Sequence, residues 1–166
     1  EMMHDVLQLS RAKHSEIQLE RLETLQTIEK ISENAKITFG TSKSEVIIKA
    51  CPEVLADKTM LHQVFLNIIN NAIKYSSQQE NPVVEIEGKE QGEMVIYRIS
   101  DNGIGIPEEN KHKMFKIFNR MDNAKKFKGN GVGLSIVHRI MKRIGGNVDY
   151  ESSPNGTSFI LTFKKP

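Results

Sequence analysis

Residues 57–77 carry the longest helical pattern in this chain, and that pattern restricts the possible folds more than any other segment does. The apolar side chains recur every three or four residues and would form one continuous helix face: Leu61, Val64, Phe65, Ile68, Ile69, Ala72 and Ile73. Asp57 is a suitable N-cap for this helix. An apolar face of this length must be buried against another layer of secondary structure.

Segments with strand periodicity supply that second layer. Residues 82–89 and 93–101 alternate polar and apolar side chains, and they predict a hairpin that turns at Gln91-Gly92. A second hairpin is predicted from residues 147–152 and 157–163. Shorter strands are predicted at residues 15–20 and 44–50, and further helices at residues 22–34 and 132–144. This order of elements predicts an α/β two-layer sandwich.

The composition excludes several classes of protein. The 166 residues are 38% hydrophobic, which fits one globular domain, and the net charge of +2 is too small to indicate a nucleic-acid partner. The single cysteine, Cys51, excludes an internal disulfide and suits the cytoplasm. No apolar run reaches the roughly 18–20 residues that span a bilayer. Because the sequence starts at Glu1 within a helical pattern, we interpret it as part of a longer protein that could carry a membrane anchor.

Polar residues share one face of the predicted helix over residues 57–77. Asn67, Asn71 and Lys74 are spaced by four and three residues, so they lie together beside the apolar stripe. A carboxamide oxygen is a hard ligand that suits magnesium, and a lysine one turn later could reach a phosphate. A solvated polar face explains the same spacing without any ligand, and it is the simpler interpretation of this motif alone.

The segment DNGIGIP, residues 101–107, follows the predicted strand at residues 93–100. Asp101 could accept a hydrogen bond from an exocyclic amine. Gly103 and Gly105 are more than a plain turn requires, which indicates close approach of the backbone to a flat or anionic group. A glycine-rich turn remains the alternative.

Two further motifs follow. In KMFKIFNR, residues 113–120, Phe115 and Phe118 are three residues apart and could share a helix face, although core packing also explains them. In GNGVGLSIV, residues 129–137, glycines at 129, 131 and 133 precede a predicted helix whose free N–H groups could receive a phosphate. The spacing fits neither a Rossmann fingerprint nor a P-loop.

The four motifs and the terminal GTSF, residues 156–159, occur in the order found in the ATP-binding catalytic domain of sensor histidine kinases. They resemble the N box, first glycine box, F box and second glycine box of that GHKL family, which serves two-component signal transduction. The resemblance covers roughly residues 36–165. It implies the Bergerat fold, a mixed sheet with three helices on one face and ATP held between the two layers.

The resemblance implies a role for each matching residue. Asn71 resembles the Mg²⁺ ligand with Asn67 beside it, Lys74 a phosphate contact, and Tyr75 a side wall of the ATP pocket. Asp101 resembles the acid that pairs with the adenine amine. Gly103, Gly105 and Ile106 resemble adenine contacts, and Phe115 and Phe118 resemble the F box. Thr157 resembles a residue that supports Asp101 through water. The phosphate-side loop is matched by Gly129, Gly131, Gly133 and Leu134.

The resemblance also implies a division of the chain. Residues 1–14 resemble the end of the second helix of a dimerisation hairpin, and residues 15–166 the catalytic domain, with an ATP lid at about 108–130. In this family the phosphoaccepting histidine lies on the first helix of the hairpin, so the resemblance implies that it lies upstream of this sequence. His4 and His14 are interpreted as surface histidines. The expected partners are that hairpin and a response-regulator receiver domain. The full-length protein is expected to be a homodimer, whereas this fragment could be a monomer.

Other members of the superfamily hydrolyse ATP and use a glutamate one turn before the metal-binding Asn. The corresponding position here is Asn67, which cannot accept a proton at neutral pH, so transfer to a separate acceptor is favoured over hydrolysis. An anti-sigma serine kinase shares the expected fold. A regulatory module that binds nucleotide without kinase activity is the remaining alternative.

Overall fold

A computed structural model of the chain describes residues 16–108, 114–115, 127 and 131–166. These residues form seven strands and three helices, which we number in chain order: β1 (Glu20–Leu22), α1 (Leu25–Thr38), β2 (Glu45–Ile48), β3 (Val54–Ala56), α2 (Lys58–Ser76), β4 (Val83–Gln91), β5 (Met94–Asp101), α3 (Gly133–Arg143), β6 (Asn147–Ser153) and β7 (Gly156–Lys164).

The strands form a single sheet in the order β1-β3-β7-β5-β4-β2, and β6 also pairs with β7. Strands β2 and β4 are parallel, while the other pairs are antiparallel. The sheet is therefore mixed. Its two long hairpins, β4–β5 and β6–β7, are those that the alternating patterns predicted.

One face of the sheet is buried under the helices. In β5 the alternate residues Val95, Tyr97 and Ile99 are fully buried, whereas Arg98 and Ser100 lie on the opposite, more exposed face. The buried side chains join the apolar faces of α1, α2 and α3 in one core. Sheet and helices therefore form the predicted two-layer α/β sandwich with three helices on one face.

Helix α2 lies at the centre of this core. All seven residues of its predicted apolar face are buried. The ring of Phe65 packs against those of Tyr97 and Phe163, with centroid separations of 5.3 and 6.0 Å. Asp57 caps the helix, because its carboxylate accepts from the backbone N–H groups of Thr59 and Met60 at 3.0 and 3.1 Å.

The first elements differ from the sequence prediction. The strand predicted at residues 15–20 is instead β1, Glu20–Leu22, and α1 begins at Leu25 rather than at residue 22. Strand β3 was not predicted at all. Both strands have three residues, too few to show a period, and they form because each pairs with the other.

The predicted hairpin end at residues 1–14 lies outside the described residues, as does most of the predicted lid. Among the described residues, no helix is long and apolar enough to cross a membrane.

Candidate functional site

The start of α3 meets the middle of α2 at Asn67. The Asn67 carboxamide nitrogen donates to the carbonyl oxygen of Gln63 at 2.8 Å. A Cβ atom at Gly133 would lie 2.5 Å from the Asn67 Oδ1 atom, so a side chain at this position would collide with the carboxamide. Gly131, two residues earlier, has a φ of +69°. The structure thus brings together the predicted residues Asn67 and Gly133.

Asn71 and Lys74 follow Asn67 along α2. Asn71 is half-buried, and its carboxamide forms no hydrogen bond with another of the described residues. The Lys74 ammonium lies 4.4 Å from the centroid of the Tyr75 ring, within the range of a cation–π contact. A carboxamide and a cation therefore follow Asn67 on successive turns of α2.

Asp101 lies at the end of β5, opposite Thr157 of β7. Its Oδ1 atom accepts from the Gly103 N–H at 2.8 Å, and the backbone of Thr157 provides another hydrogen bond. Burial raises the pKa of Asp101 to about 6, although both backbone hydrogen bonds act in the opposite direction. At neutral pH the group is therefore mainly an ionised acceptor.

The two glycines of DNGIGIP are required by neighbouring parts of the protein. A Cβ at Gly103 would lie 2.6 Å from the Tyr75 carbonyl oxygen, and one at Gly105 would collide with the Ser153 carbonyl oxygen. Gly105 also has a φ of +64°. The approach of this loop to a flat or anionic group stays a prediction. The close neighbours that the structure shows are backbone groups of α2 and of the β6–β7 turn. Their proximity holds the loop between these two elements.

A hydroxyl pair connects this loop to the sheet. The Ile106 N–H donates to Ser152 Oγ at 2.8 Å, and Ser152 Oγ lies 3.0 Å from Thr157 Oγ1. Ile106 and Thr157 are buried, as an apolar wall and a supporting hydroxyl would be. Sequence reasoning missed Ser152. Its position in the alternation of β6, on the same face as Val148 and Tyr150, could have indicated that it points toward the helices.

Aromatic residues flank the site. Phe115 stacks on His138 with a centroid separation of 5.2 Å and meets Tyr150 edge-on at 6.1 Å. Packing therefore explains Phe115 at least in part. Phe127, which sequence reasoning also missed, is buried and contacts Tyr75 edge-on at 5.2 Å. A single aromatic within a lysine-rich stretch was the available signal.

Leu134, another predicted site residue, is half-buried and packs against the core from the first turn of α3. Phe118 and Gly129 lie outside the described residues.

Comparison with known proteins identifies this arrangement. The model of the family described as histidine kinase-, DNA gyrase B- and HSP90-like ATPases matches residues 56–166. The chain belongs to this ATPase family. The matched range begins just before α2 and includes every predicted site residue.

Sensor histidine kinases are the relevant members of this family. The chain is 31% identical to the phytochrome-like protein Cph1 of Synechocystis over 97% of its own length and 22% of that protein. It is also 31% identical to the sensor histidine kinase WalK of Bacillus subtilis, over 99% of the chain and 28% of WalK. The chain thus spans about a quarter of these relatives.

Solved structures agree with the sequence comparison. The mycobacterial sensor histidine kinase MprB superposes with a TM-score of 0.76 at 25% identity, and the match covers 89% of this chain and 99% of that one. The predicted Bergerat fold and the prediction of a sensor histidine kinase ATP-binding catalytic domain are therefore confirmed.

Proposed function

We propose that this domain binds ATP with Mg²⁺ and transfers the γ-phosphate to a histidine on a helical hairpin of the same kinase. The contact between Asn67 and Gly133 carries this proposal, because it joins the polar face of α2 to the N-terminus of α3. At the C-terminal end of α2, the carbonyl of Tyr75 lies close to Gly103. Tyr75 lies eight positions after Asn67, which corresponds to ~12 Å of helix and separates a phosphate end from a base end.

The base end suits adenine. The ionised Asp101 carboxylate would accept from the exocyclic amine, and the buried Ile106 would provide an apolar wall, with Gly103 and Gly105 forming the loop between them. Guanine presents a carbonyl at the corresponding position, so two acceptors would face each other there. Tyr75 would close the side of the pocket. Thr157 would support Asp101 from the neighbouring strand.

The phosphate end suits a magnesium nucleotide. Asn71 would hold Mg²⁺ through its carboxamide oxygen, with Asn67 beside it and Lys74 in contact with phosphate oxygens. No group of three or more His, Cys, Asp or Glu able to hold a metal exists in the described part of the chain, so phosphates and water would complete the coordination. When bound, the ion would neutralise phosphate charge. The backbone N–H groups of Gly131, Gly133 and Leu134 would donate hydrogen bonds to phosphate oxygens.

Transfer to histidine is favoured over hydrolysis by the chemistry at Asn67. Its amide nitrogen is already engaged with Gln63, and its oxygen faces Gly133. A carboxamide takes no proton from water at neutral pH, so this position offers no general base. In the transfer, the unprotonated imidazole nitrogen attacks the γ-phosphorus, the bond to the β,γ-bridging oxygen breaks, and ADP leaves with the electron pair. The proton on the other imidazole nitrogen is then released to water. Positioning of the phosphates by α2 and α3 is the contribution of this domain.

The proposal extends to the remaining parts of the kinase. Residues 1–14 would continue the second helix of the dimerisation hairpin, residues 15–166 would form the catalytic domain, and residues 108–130, with Phe115, Phe118 and Gly129, would cover the nucleotide. The phosphoryl group would then pass from histidine to an aspartate on a response-regulator receiver domain. The full-length protein would act as a homodimer whose catalytic domain lies in the cytoplasm.

Phosphotransfer in a mixture of two pieces tests the proposal. The chain is incubated with a separately produced hairpin of its own kinase and γ-labelled ATP with Mg²⁺. We expect label on the hairpin that is labile in acid and stable in alkali, as phosphohistidine is. Asn71→Ala should abolish labelling. Label on serine, or rapid phosphate release by the chain alone, would overturn the proposal.

A further inference from the structure

Strand β2 is an edge of the sheet, and its outer side has no strand partner among the described residues. On its inner side it pairs with β4, and the Glu45 N–H donates to the Pro82 carbonyl at 2.9 Å. Backbone groups of successive strand residues point to opposite sides, so the N–H and C=O groups of Val46 and Ile48 point outward. Such an edge can pair with a further strand.

A groove of about 400 Å³ separates β2 from helix α1. The half-buried side chains of Val46 and Ile48 line it from the strand, so α1 does not cover the edge completely. The residues that line it from α1 are mostly charged: Glu29, Lys30, Ser32, Glu33 and Lys36. Two glutamates and two lysines carry no net charge together, so an identical helix can approach this one without net repulsion.

The sequence of this edge is complementary to itself in the antiparallel direction. When two copies pair with Ile47 opposite Ile47, Val46 lies opposite Ile48 of the second copy, and each of these two pairs exchanges two hydrogen bonds. The same register places Glu45 opposite Lys49 of the second copy, so opposite charges face each other at both ends. A register shifted by two residues would instead place Lys43 opposite Lys49, a pair of like charges.

The charged residues lie where this pairing requires them. Glu45, Ile47 and Lys49 are on the face of the sheet that the helices leave uncovered, because Ile47 is the register partner of Glu85 and the Lys49 ammonium lies 2.7 Å from the Glu85 carboxylate. The Lys49 side chain is 45% exposed. An ammonium has three donors, so Lys49 can contact Glu85 and Glu45 of the second copy together.

We propose that β2 is a self-association surface, at which a second copy of this chain extends the sheet by antiparallel β2–β2 pairing about a twofold axis. The occupant is a second copy because the strand itself supplies the complementary charges. A strand of four residues gives a small interface, so the association of isolated domains is weak and reversible. The pairing requires no nucleotide, because β4 separates β2 from Asp101 at the end of β5.

Charge reversal tests the register in solution. Sedimentation velocity over a concentration series, without nucleotide and at low salt, should show reversible dimers of the wild type. Glu45→Lys and Lys49→Glu each place like charges at both ends of the pair, so each should weaken self-association by roughly tenfold or more. In an equimolar mixture, a pair of one Glu45→Lys chain and one Lys49→Glu chain has opposite charges at both ends again. The mixture should therefore form dimers as the wild type does.

Glu151→Lys is the matched control, because it also reverses a charge that takes part in an ion pair, with Arg98, but it lies on β6. It should associate as the wild type does. A monomeric wild type at every concentration, an equal loss in Glu151→Lys, or a mixture that stays as weak as its components would overturn the inference.

Cross-linking tests the geometry directly. In a Cys51→Ser background, Ile47→Cys should give a disulfide-linked dimer with oxidised glutathione as the oxidant. Residues directly opposite in a pair without hydrogen bonds are ~4.5 Å apart at their Cα atoms, within reach of a disulfide. Ser42→Cys, exposed in the loop before β2, is the control and should stay monomeric, because its two copies lie far apart in this register. Equal cross-linking at both positions, or none at position 47, would overturn the inference.

Discussion

Replacement of Asp101 by asparagine should stabilise the nucleotide-free protein at neutral pH. Burial raises the pKa of the Asp101 carboxyl from 3.8 to about 6, in spite of hydrogen bonds from two backbone N–H groups. The folded protein therefore retains a proton that the unfolded chain releases between these values, and stability falls as the pH rises through this window. Ionisation of Asp101 thus opposes folding at pH 7, and an amide removes this cost.

The magnitude follows from the two pKa values. Linkage gives an ionisation cost of about 1 kcal/mol at pH 4.5 and ~3 kcal/mol at pH 7.5, where the effect is complete. Asparagine can still accept from the Gly103 N–H through its Oδ1 atom. Its amide adds two donors that require partners, so these figures are upper limits for the gain in stability.

Urea unfolding of the nucleotide-free protein at pH 4.5 and pH 7.5 measures this gain. The stability difference between Asp101→Asn and the wild type should increase by up to ~2 kcal/mol between the two conditions. Asp149→Asn, which removes an exposed carboxylate from β6, is the matched control for the loss of one negative charge. A difference for Asp101→Asn that is the same at both pH values would refute the reasoning. The same substitution should weaken ATP binding, because an amide can present a donor to the adenine amine.

Three other predictions follow from the site and the core. Asn71→Ala should eliminate the part of ATP affinity that depends on magnesium. The dissociation constant for ATP is measured with Mg²⁺ and with a chelator, and a difference between the two values as large as in the wild type would contradict this role. Gly156→Ala should prevent stable folding, because its φ is +138° and a Cβ would collide with the Asp101 carbonyl, whereas Gly40→Ala, at a φ of +61° in open space, should cost about 1 kcal/mol. Comparable unfolding free energies for these two variants would refute the collision argument. Tyr97→Phe removes a buried hydroxyl that donates to the Pro52 carbonyl at 2.6 Å and accepts from Thr24 Oγ1 at 2.6 Å, and it should cost about 1–3 kcal/mol in denaturant unfolding. An unchanged midpoint would show that these two hydrogen bonds contribute no net stability.

Local patterns predicted the larger elements well. The apolar periodicity of α2 identified seven buried side chains, and Asp57 identified its first turn. The hairpins β4–β5 and β6–β7 were evident because alternation extends over most of each strand. In both cases the signal lies within one continuous segment and reflects burial on one side.

Elements that depend on distant partners were not predicted correctly. Strand β3 has three residues, and it is a strand because it pairs with β1 and with the end of β7. Strand β1 likewise occupies Glu20–Leu22 rather than residues 15–20, where the alternation was clearer. A pairing partner more than 30 residues away leaves no trace in the local pattern.

The sequence by itself determined the layer architecture, the order of the motifs and the residue types that could bind a magnesium nucleotide. These depend on periodicity and on side-chain chemistry, which are properties of each segment. The tertiary structure alone decided how the segments meet. It placed Gly133 against Asn67, Gly103 against the Tyr75 carbonyl, and Ser152 between Ile106 and Thr157. Such contacts join residues far apart in the chain, and their distances arise only when the sheet and helices pack around a common core.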